Sequence, residues 1–180
     1  MVIKSEIWTI RAFSQSDSDA VADLFIRINR LLAPKEMEAA FEAYIQRSLK
    51  EEISRIDDYY SEHCGLFYVA EASGPLCGMF GLESAGEGAM ELRRMYVAPE
   101  ARGQGLGRLL LAKAETLALE AGCFKLKLST SEIQKAALSL YRSAGYTLVA
   151  EEIAQSATLK TVGGNIRRFY FEKDLTVKGQ

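Results

Sequence analysis

The stretch between residues 90 and 122 constrains the fold of this 180-residue chain more than any other. It starts as a strand, passes Pro99 into a turn with three glycines, and continues as a long amphipathic helix. The first N–H groups of a helix have no internal partner, and the helix dipole adds partial positive charge there. Because glycine lets the backbone approach a ligand closely, this order of elements predicts a binding site for a phosphate group.

The spacing within the turn decides between three phosphate-binding patterns. A Walker A loop ends in Gly-Lys-Ser/Thr, but here Gly107 is followed by Arg108 and a leucine. A dinucleotide-binding turn follows G-x-G-x-x-G, whereas Gly103, Gly105 and Gly107 are evenly spaced. The third pattern, R/Q-x-x-G-x-G/A, is met by Arg102 together with the last two of these glycines.

This third pattern is typical of one enzyme family. Residues 91–111, ELRRMYVAPEARGQGLGRLLL, resemble the pyrophosphate loop of the GNAT superfamily of acyl-CoA-dependent N-acetyltransferases. The resemblance implies that acetyl-CoA binds here as a co-substrate, with its pyrophosphate on the main-chain N–H groups of residues 104–108. Its pantetheine arm would bond the backbone of Met95 and Val97 like a short added strand. The cofactor-binding residues implied in this segment are Met95, Val97, Arg102, Gly103, Gln104, Gly105, Leu106, Gly107 and Arg108.

A second motif follows at residues 129–146, STSEIQKAALSLYRSAGY. Its counterpart in the GNAT superfamily is N-x-x-A-x-x-L-Y-x-x-x-G-F/Y. The matching residues are Ala137, Leu140, Tyr141, Gly145 and Tyr146. Gln134 stands where asparagine is usual, and its amide can still bond the pantetheine chain. We therefore include Gln134 among the expected cofactor-binding residues.

Three further segments, INRLLAP, IDDYYSEHCGLFYVAE and GMFGLE, resemble the camello-type branch of the superfamily. Members of that branch acetylate cysteine conjugates or lysine side chains. We expect the acceptor to be a small-molecule amine, an amino acid or its conjugate, in preference to a large protein surface. The identity of the acceptor and the length of the acyl chain stay open.

Acetyl transfer to an amine requires a base, and the leaving thiolate requires a proton. A primary alkylamine has a pKa of about 10.4, so a base must deprotonate it at neutral pH. The resemblance implies Glu91 as this base, and Glu83 or water are the alternatives. Glu91 could instead be an ion-paired carboxylate beside Arg93 or Arg94. The resemblance implies Tyr141 as the general acid, and a tyrosine packed against the sheet is the structural alternative.

No cysteine lies in a motif for a covalent acyl intermediate, so we expect direct attack by the amine in a ternary complex. The alternative function is a non-catalytic acyl-CoA-binding module with a regulatory or interaction role. Such a module would keep the phosphate loop but would not turn over an amine. Dimers are common in the superfamily, so the resemblance makes a homodimer a candidate, and the oligomeric state stays open.

Composition argues against several other classes. The chain has 22 Lys and Arg against 24 Asp and Glu, and a net charge of −2, so we expect no nucleic acid as a partner. One histidine and three cysteines without CxxC spacing predict reduced thiols and no metal site. The sequence lacks an apolar run of about 18 residues and a signal-like start, which predicts no membrane association and a cytoplasmic location.

The predicted elements run β-α-α-β-β-β-α-β-α-β-β, which indicates an α/β fold. The resemblance implies the GNAT-like form, a mixed and splayed sheet of about seven strands with flanking helices. We expect one such domain over residues 1–180, with its first strand at residues 6–13. A helix over residues 35–62 would be about 40 Å long, so we expect it to bend or break.

Two pairs of adjacent arginines interrupt the strand patterns. Arg93 and Arg94 stand side by side where one should face the core, which predicts a β-bulge. Arg167 and Arg168 are expected on the exposed face of the last strand, unless one of them points into the acceptor pocket. We expect that pocket between the first helices, the bulged strand and the loop of residues 154–165.

Overall fold

The computed structural model describes residues 8–175. Residues 6 and 7 of the predicted first strand lie outside this range. The strands are β1 (Thr9–Ala12), β2 (Leu66–Glu71), β3 (Leu76–Ser84), β4 (Ala89–Val97), β5 (Lys125–Ser131), β6 (Thr147–Ala154) and β7 (Ile166–Asp174). The α-helices are α1 (Ser18–Leu32), α2 (Glu38–Glu51), α3 (Ile56–Glu62), α4 (Leu106–Glu120) and α5 (Lys135–Ser143).

The strands form one sheet in the order β1-β2-β3-β4-β5-β7-β6. The pair β4–β5 is parallel, because α4 carries the chain across between them, and the other pairs are antiparallel. The parallel pairing covers only residues 89–92 against residues 125–128. Beyond that point the two strands no longer pair, and the sheet is splayed. The predicted mixed, splayed α/β architecture is therefore confirmed.

Strand β4 carries a bulge at its two arginines. Gly81 pairs with Arg93 while Met79 pairs with Tyr96, so β4 has one residue more than β3 between these pairs. Arg94 has a φ of 51°, in the left-handed region that residues with a Cβ rarely adopt. The predicted bulge is confirmed, and both arginine side chains of the bulge are buried.

The helix predicted over residues 35–62 is broken in the middle. Helix α2 ends at Glu51, a short 3₁₀ turn covers Ile53–Arg55, and α3 follows. Glu52 lies at the break, with φ −137° and ψ −62°. Because the chain turns here, Tyr60 of α3 lies close enough to donate a hydrogen bond of 2.8 Å to the Glu52 carboxylate.

Helices cover both faces of the sheet at β3. Consecutive residues of a strand point to opposite faces, and Met79, Phe80 and Leu82 are all fully buried. Both α1 and α4 contact this strand. Burying one side chain of this size stabilises the fold by about 1.5–3 kcal/mol. Strand β4, which carries the bulge, is thus supported by a neighbour that is packed on both faces.

Three general features concern the chemistry open to the chain. Within residues 8–175, no helix is long and apolar enough to cross a membrane. The same residues include no group of three or more His, Cys, Asp or Glu side chains placed to hold a metal ion. Cys64, Cys77 and Cys123 are free thiols.

Candidate active site

A cleft opens where β4 loses β5 as its neighbour. From Arg93 onward β4 has no partner strand on this side, and the Val97 carbonyl accepts from Arg102 Nε at 3.3 Å. The cleft has a volume of about 420 Å³, which is typical of small-molecule sites. We call it the loop cleft. The sequence-predicted residues that line it are Met95, Val97, Arg102, Gly103, Gly105, Leu106, Gly107 and Gln134.

The other two predicted cofactor residues have side chains that bond elsewhere. Gln104 donates its side-chain amide to the carbonyl of Glu100 at 3.0 Å. Arg108 donates from Nη2 to Ser143 Oγ at 3.1 Å. Neither residue lines the loop cleft, so their side chains do not face the ligand position.

The glycine turn presents a row of free main-chain N–H groups. Gly103 and Gly105 have φ values of 72° and 87°, and no atom lies within 4 Å of the place where a Cβ would stand at either residue. The N–H groups of Arg108 and Leu109 are both donated to the Gly105 carbonyl, so the Arg108 N–H of the expected set, residues 104–108, is already bonded within the turn. In the described chain, the N–H groups of residues 103–107 have no acceptor. They stand at the start of α4, which favours an anion.

A smaller cavity adjoins the loop cleft. The two share Met95, Tyr96 and Gln134 in their walls, and the second has a volume of about 80 Å³. We call it the inner cavity. Its ionisable lining residues are Tyr44, Glu91, Arg93, Arg94, Tyr96, Tyr141, Lys160 and Arg168. The structure thus brings both sequence-predicted catalytic residues, Glu91 and Tyr141, to one cavity.

The ion pair of Glu91 differs from the one considered in the sequence. Its Oε2 lies 2.5 Å from the Nζ of Lys160, in the loop between β6 and β7. The same Nζ lies 3.7 Å from Glu83, which is directly opposite Glu91 in the β3–β4 pair. The lysine ammonium therefore sits between two carboxylates, and the Glu91 side chain is 18% exposed.

Glu83 is more heavily bonded than Glu91. Its Oε2 accepts hydrogen bonds from Arg93 at 2.8 Å and from the Tyr59 hydroxyl at 3.2 Å. Burial raises the pKa of Tyr59 to about 12, so the phenol keeps its proton at neutral pH and remains a donor. Glu83 thus has Arg93, Tyr59 and Lys160 as partners, whereas Glu91 is paired with Lys160, so Glu91 is the less encumbered of the two predicted bases.

A buried carboxylate holds the two bulge arginines. Glu52 is fully buried and accepts from Arg93 at 3.0 Å and from Arg94 Nη2 at 2.6 Å. Burial opposes its ionisation, but the two guanidinium groups outweigh that effect and lower the pKa of Glu52. Glu52 was not predicted from the sequence. Two arginines in a buried strand do predict a carboxylate partner from another element, because buried charges require counter-charges.

Tyr141 packs its ring near other aromatic rings and also carries a hydroxyl group at the inner cavity. Its ring lies 6.0 Å from the ring of Tyr146 and 6.2 Å from that of Phe171. Within residues 8–175 its hydroxyl has no hydrogen-bond partner, although the residue is only 5% exposed. Burial raises the pKa of Tyr141 above its ordinary value, so the hydroxyl is protonated at neutral pH. A protonated phenol at the cavity wall is able to donate to a ligand.

The two arginines of β7 have different surroundings. Arg167 is exposed, as the sequence predicts, and it forms an ion pair with Glu151 at 3.0 Å. Arg168 is buried and lines the inner cavity. This corresponds to the alternative from the sequence, in which one of the two arginines points into a pocket. It donates to the Lys160 carbonyl and to Ser129 Oγ. Its buried Nε has no acceptor in the part of the chain that the structure describes.

Both sequence motifs fall within a match to a protein family. Residues 30–146 match the model of the family described as Acetyltransferase (GNAT) family. This match covers more than half of the chain and includes the glycine turn, the bulge and Tyr141. The chain therefore belongs to the GNAT acetyltransferase family.

Similar proteins carry acetyltransferase names. The chain is 40% identical over 82 residues to the IAA acetyltransferase of Azospirillum brasilense, covering 44% of this chain and 53% of that protein. It is 31% identical over 109 residues to N-acetyltransferase 8B of Homo sapiens, covering 57% of this chain and 48% of that protein. The latter is a camello-type protein, in agreement with the branch resemblance. The chain spans about half the length of these curated relatives.

The fold is shared with solved acetyltransferases. One is the PaiA N-acetyltransferase of Thermoplasma acidophilum, solved in complex with coenzyme A. The TM-score is 0.72 at 21% identity, with 93% of this chain and 98% of that chain covered. At this level of identity the likeness concerns the fold.

Proposed function

We propose that this protein is an N-acetyltransferase that moves an acetyl group from acetyl-CoA to a primary amine. The acceptor would be a small molecule, an amino acid or its conjugate. One observation carries the proposal. The unpaired edge of β4 runs from a row of free N–H groups at the loop cleft to an inner cavity that contains a carboxylate and a protonated tyrosine. Family membership supports the same conclusion.

The loop cleft offers contacts to three parts of coenzyme A. The pyrophosphate would accept the N–H groups of residues 103–107, and Arg102 would add positive charge beside them. The pantetheine arm would lie along β4 between Met95 and Val97, where the main chain has no partner strand. Gln134 lines both cavities and would bond the arm near its reactive end.

The inner cavity suits the transfer itself. The amine would give a proton to Glu91, directly or through water, and its nitrogen would attack the thioester carbonyl carbon. A main-chain N–H near Met95 would stabilise the oxyanion. The C–S bond then breaks, and the hydroxyl of Tyr141 would protonate the departing thiolate. Lys160 has to leave Glu91 first, and its side chain is 44% exposed, so it can rotate toward solvent.

The ion pair between Lys160 and Glu91 is also the observation that favours the alternative function. A chain whose base is permanently covered by a lysine would bind acyl-CoA without acetylating an amine. Both functions predict the same CoA affinity, so only turnover separates them.

Thiol release from acetyl-CoA over a panel of amines tests the proposal. We expect release that depends on the amine and saturates with it, together with CoA binding measured by calorimetry. The variant Lys160→Met serves as a control, because it uncovers Glu91 and keeps the length of the side chain. CoA binding without amine-dependent thiol release in both proteins would support the non-catalytic module and refute the enzyme.

A further inference from the structure

The pairing of charges at the inner cavity depends on Lys160. Arg93 and Arg94 are shared between Glu52 and Glu83. Glu91 has Lys160 as its ion-pair partner. In the described chain, Arg168 forms no ion pair with a carboxylate. If the lysine side chain leaves, one carboxylate and one guanidinium therefore remain without a counter-charge.

Arg168 is unusual for a buried guanidinium. The residue is 6% exposed, and its two partners, the Lys160 carbonyl and Ser129 Oγ, are neutral oxygens. One further N–H, at Nε, is buried without any acceptor among residues 8–175. A buried charge is costly unless it meets an opposite charge and its hydrogen bonds are made. A carboxylate is the ligand group that would supply both.

Lys160 occupies both of these positions with its own atoms. Its ammonium lies between Glu91 and Glu83, and its main-chain carbonyl accepts from Arg168. The lysine is held in a turn, because its N–H donates to Thr158 Oγ1 at 3.0 Å. Lys160 thus places an amine beside Glu91 at one end of the cavity and a carbonyl oxygen beside Arg168 at the other end. The two ends, which we call the poles of the cavity, are separated by the length of a lysine side chain.

We propose that the acceptor is an amino carboxylate of about lysine length, with its reacting amine at the far end from its carboxylate. The amine replaces the Lys160 ammonium beside Glu91, and the carboxylate pairs with Arg168. This inference rests on the proposed acetyltransferase function. The reaction forms one C–N bond and breaks the C–S bond of acetyl-CoA. The ammonium gives one proton to Glu91 before the attack, the departing thiolate takes a proton from Tyr141, and the second proton of the attacking nitrogen restores the Tyr141 hydroxyl.

The test compares two acceptors of matched length, 6-aminohexanoate and hexylamine, which differ in the carboxylate. In the wild-type protein we expect kcat/KM for 6-aminohexanoate to exceed that for hexylamine by about 30-fold or more, because an unpaired buried charge is left with hexylamine. Glycine should be a poorer acceptor than 6-aminohexanoate, because it cannot reach both poles.

Variants assign the preference to Arg168. Arg168→Gln should remove the difference between the two acceptors, mainly through KM for 6-aminohexanoate, and Arg168→Lys should retain part of it. Arg167→Gln is the matched control, since its side chain is the exposed neighbour on the same strand and should keep the full difference. Thermal melting and CoA affinity, measured on each variant, separate a lost carboxylate contact from a lost fold.

The outcomes separate this inference from the function on which it rests. If no amine releases thiol from acetyl-CoA, the acetyltransferase proposal fails and this inference fails with it. If the wild-type protein acetylates hexylamine as efficiently as 6-aminohexanoate, the enzyme stands and the carboxylate site is overturned. A preference for glycine overturns the proposed length. The wild-type comparison decides the question even if Arg168→Gln does not fold.

Discussion

The loop cleft and the inner cavity are neighbours, but they are built in different ways. About half of the residues that line the loop cleft come from one continuous stretch, residues 95–107, and the groups there that would bind an anion are main-chain N–H groups. The inner cavity uses charged side chains that come from the break after α2, β3, β4, β7 and the loop before β7. Main-chain sites depend on the local path of the backbone, whereas side-chain sites depend on how distant elements pack.

This difference has a consequence for substitution. A side chain on the glycine turn can change while the N–H groups of residues 103–107 keep their directions. In the inner cavity, the ion pairs share members, and the loss of one charge leaves the others buried without compensation. Variants should therefore affect the loop cleft through ligand affinity, and the inner cavity through stability or turnover.

The largest effect is expected at Glu52. Glu52→Gln leaves Arg93 and Arg94 without a full counter-charge in a buried place, which should cost about 3–5 kcal/mol of unfolding free energy. Urea unfolding measures this loss. Glu42→Gln is the matched control, because its partner Arg30 is exposed and its removal should change stability little. Equal losses in the two variants would contradict the buried network.

The same residue predicts a pH dependence. The folded-state pKa of Glu52 is lowered, so its contribution to stability is present above its unfolded pKa of about 4.3. The contribution is lost as the pH falls through the lower folded-state pKa. Unfolding free energies of wild type and Glu52→Gln should therefore converge as the pH falls below about 4.3. A constant difference down to the pH of acid unfolding would contradict the charge assignment.

The next largest effect is expected at Glu91. Glu91→Gln removes the proposed base, and kcat should fall by about 10³-fold, within the range for proton transfer. The acidic limb of the pH–rate profile should disappear, while CoA affinity stays the same. An unchanged profile would move the role to Glu83 or to water.

Tyr141→Phe tests the junction of the two sites. It removes one hydroxyl and keeps the ring that packs near Tyr146 and Phe171. We expect kcat to fall by about 10²-fold with CoA affinity almost unchanged, because the contact matters most in the transition state. Full turnover at every pH would make the residue purely structural.

The smallest effect is expected at the glycine turn. Gly105→Val places a side chain where the pyrophosphate would approach, and CoA affinity should fall by about tenfold, or about 1.4 kcal/mol. Gly122→Val is the matched control: its φ of 77° imposes similar backbone strain, and the space around it is equally open. Calorimetry on both variants should show weaker binding only for Gly105→Val; equal affinities would refute the loop as the CoA site.

The features that could be predicted from the sequence are those with a local signal. The glycine turn, the order of elements and the bulge at Arg93 and Arg94 all follow from residues close together in the chain. The splayed sheet agrees with the family resemblance. Each of these depends on a backbone preference that neighbouring residues reveal.

The contacts of the inner cavity had no local signal. Glu52 meets Arg94 from 42 residues away, and Lys160 meets Glu91 from 69 residues away. A glutamate in a helix or a lysine in a loop looks like a surface residue until the packing of other elements is known. Arg168 was left with two alternatives for the same reason, since alternation along β7 alone does not show what covers it.

The most direct test of the central claim is a crystal structure of the protein with coenzyme A. The two sites share Met95 in their walls, and the pantetheine arm should carry its sulfur from there to Tyr141 in the inner cavity. The account predicts the pyrophosphate on the N–H groups of residues 103–107, the pantetheine along β4, and the sulfur within hydrogen-bonding distance of the Tyr141 hydroxyl. A pyrophosphate bound elsewhere, or a sulfur that does not reach the inner cavity, would contradict the account.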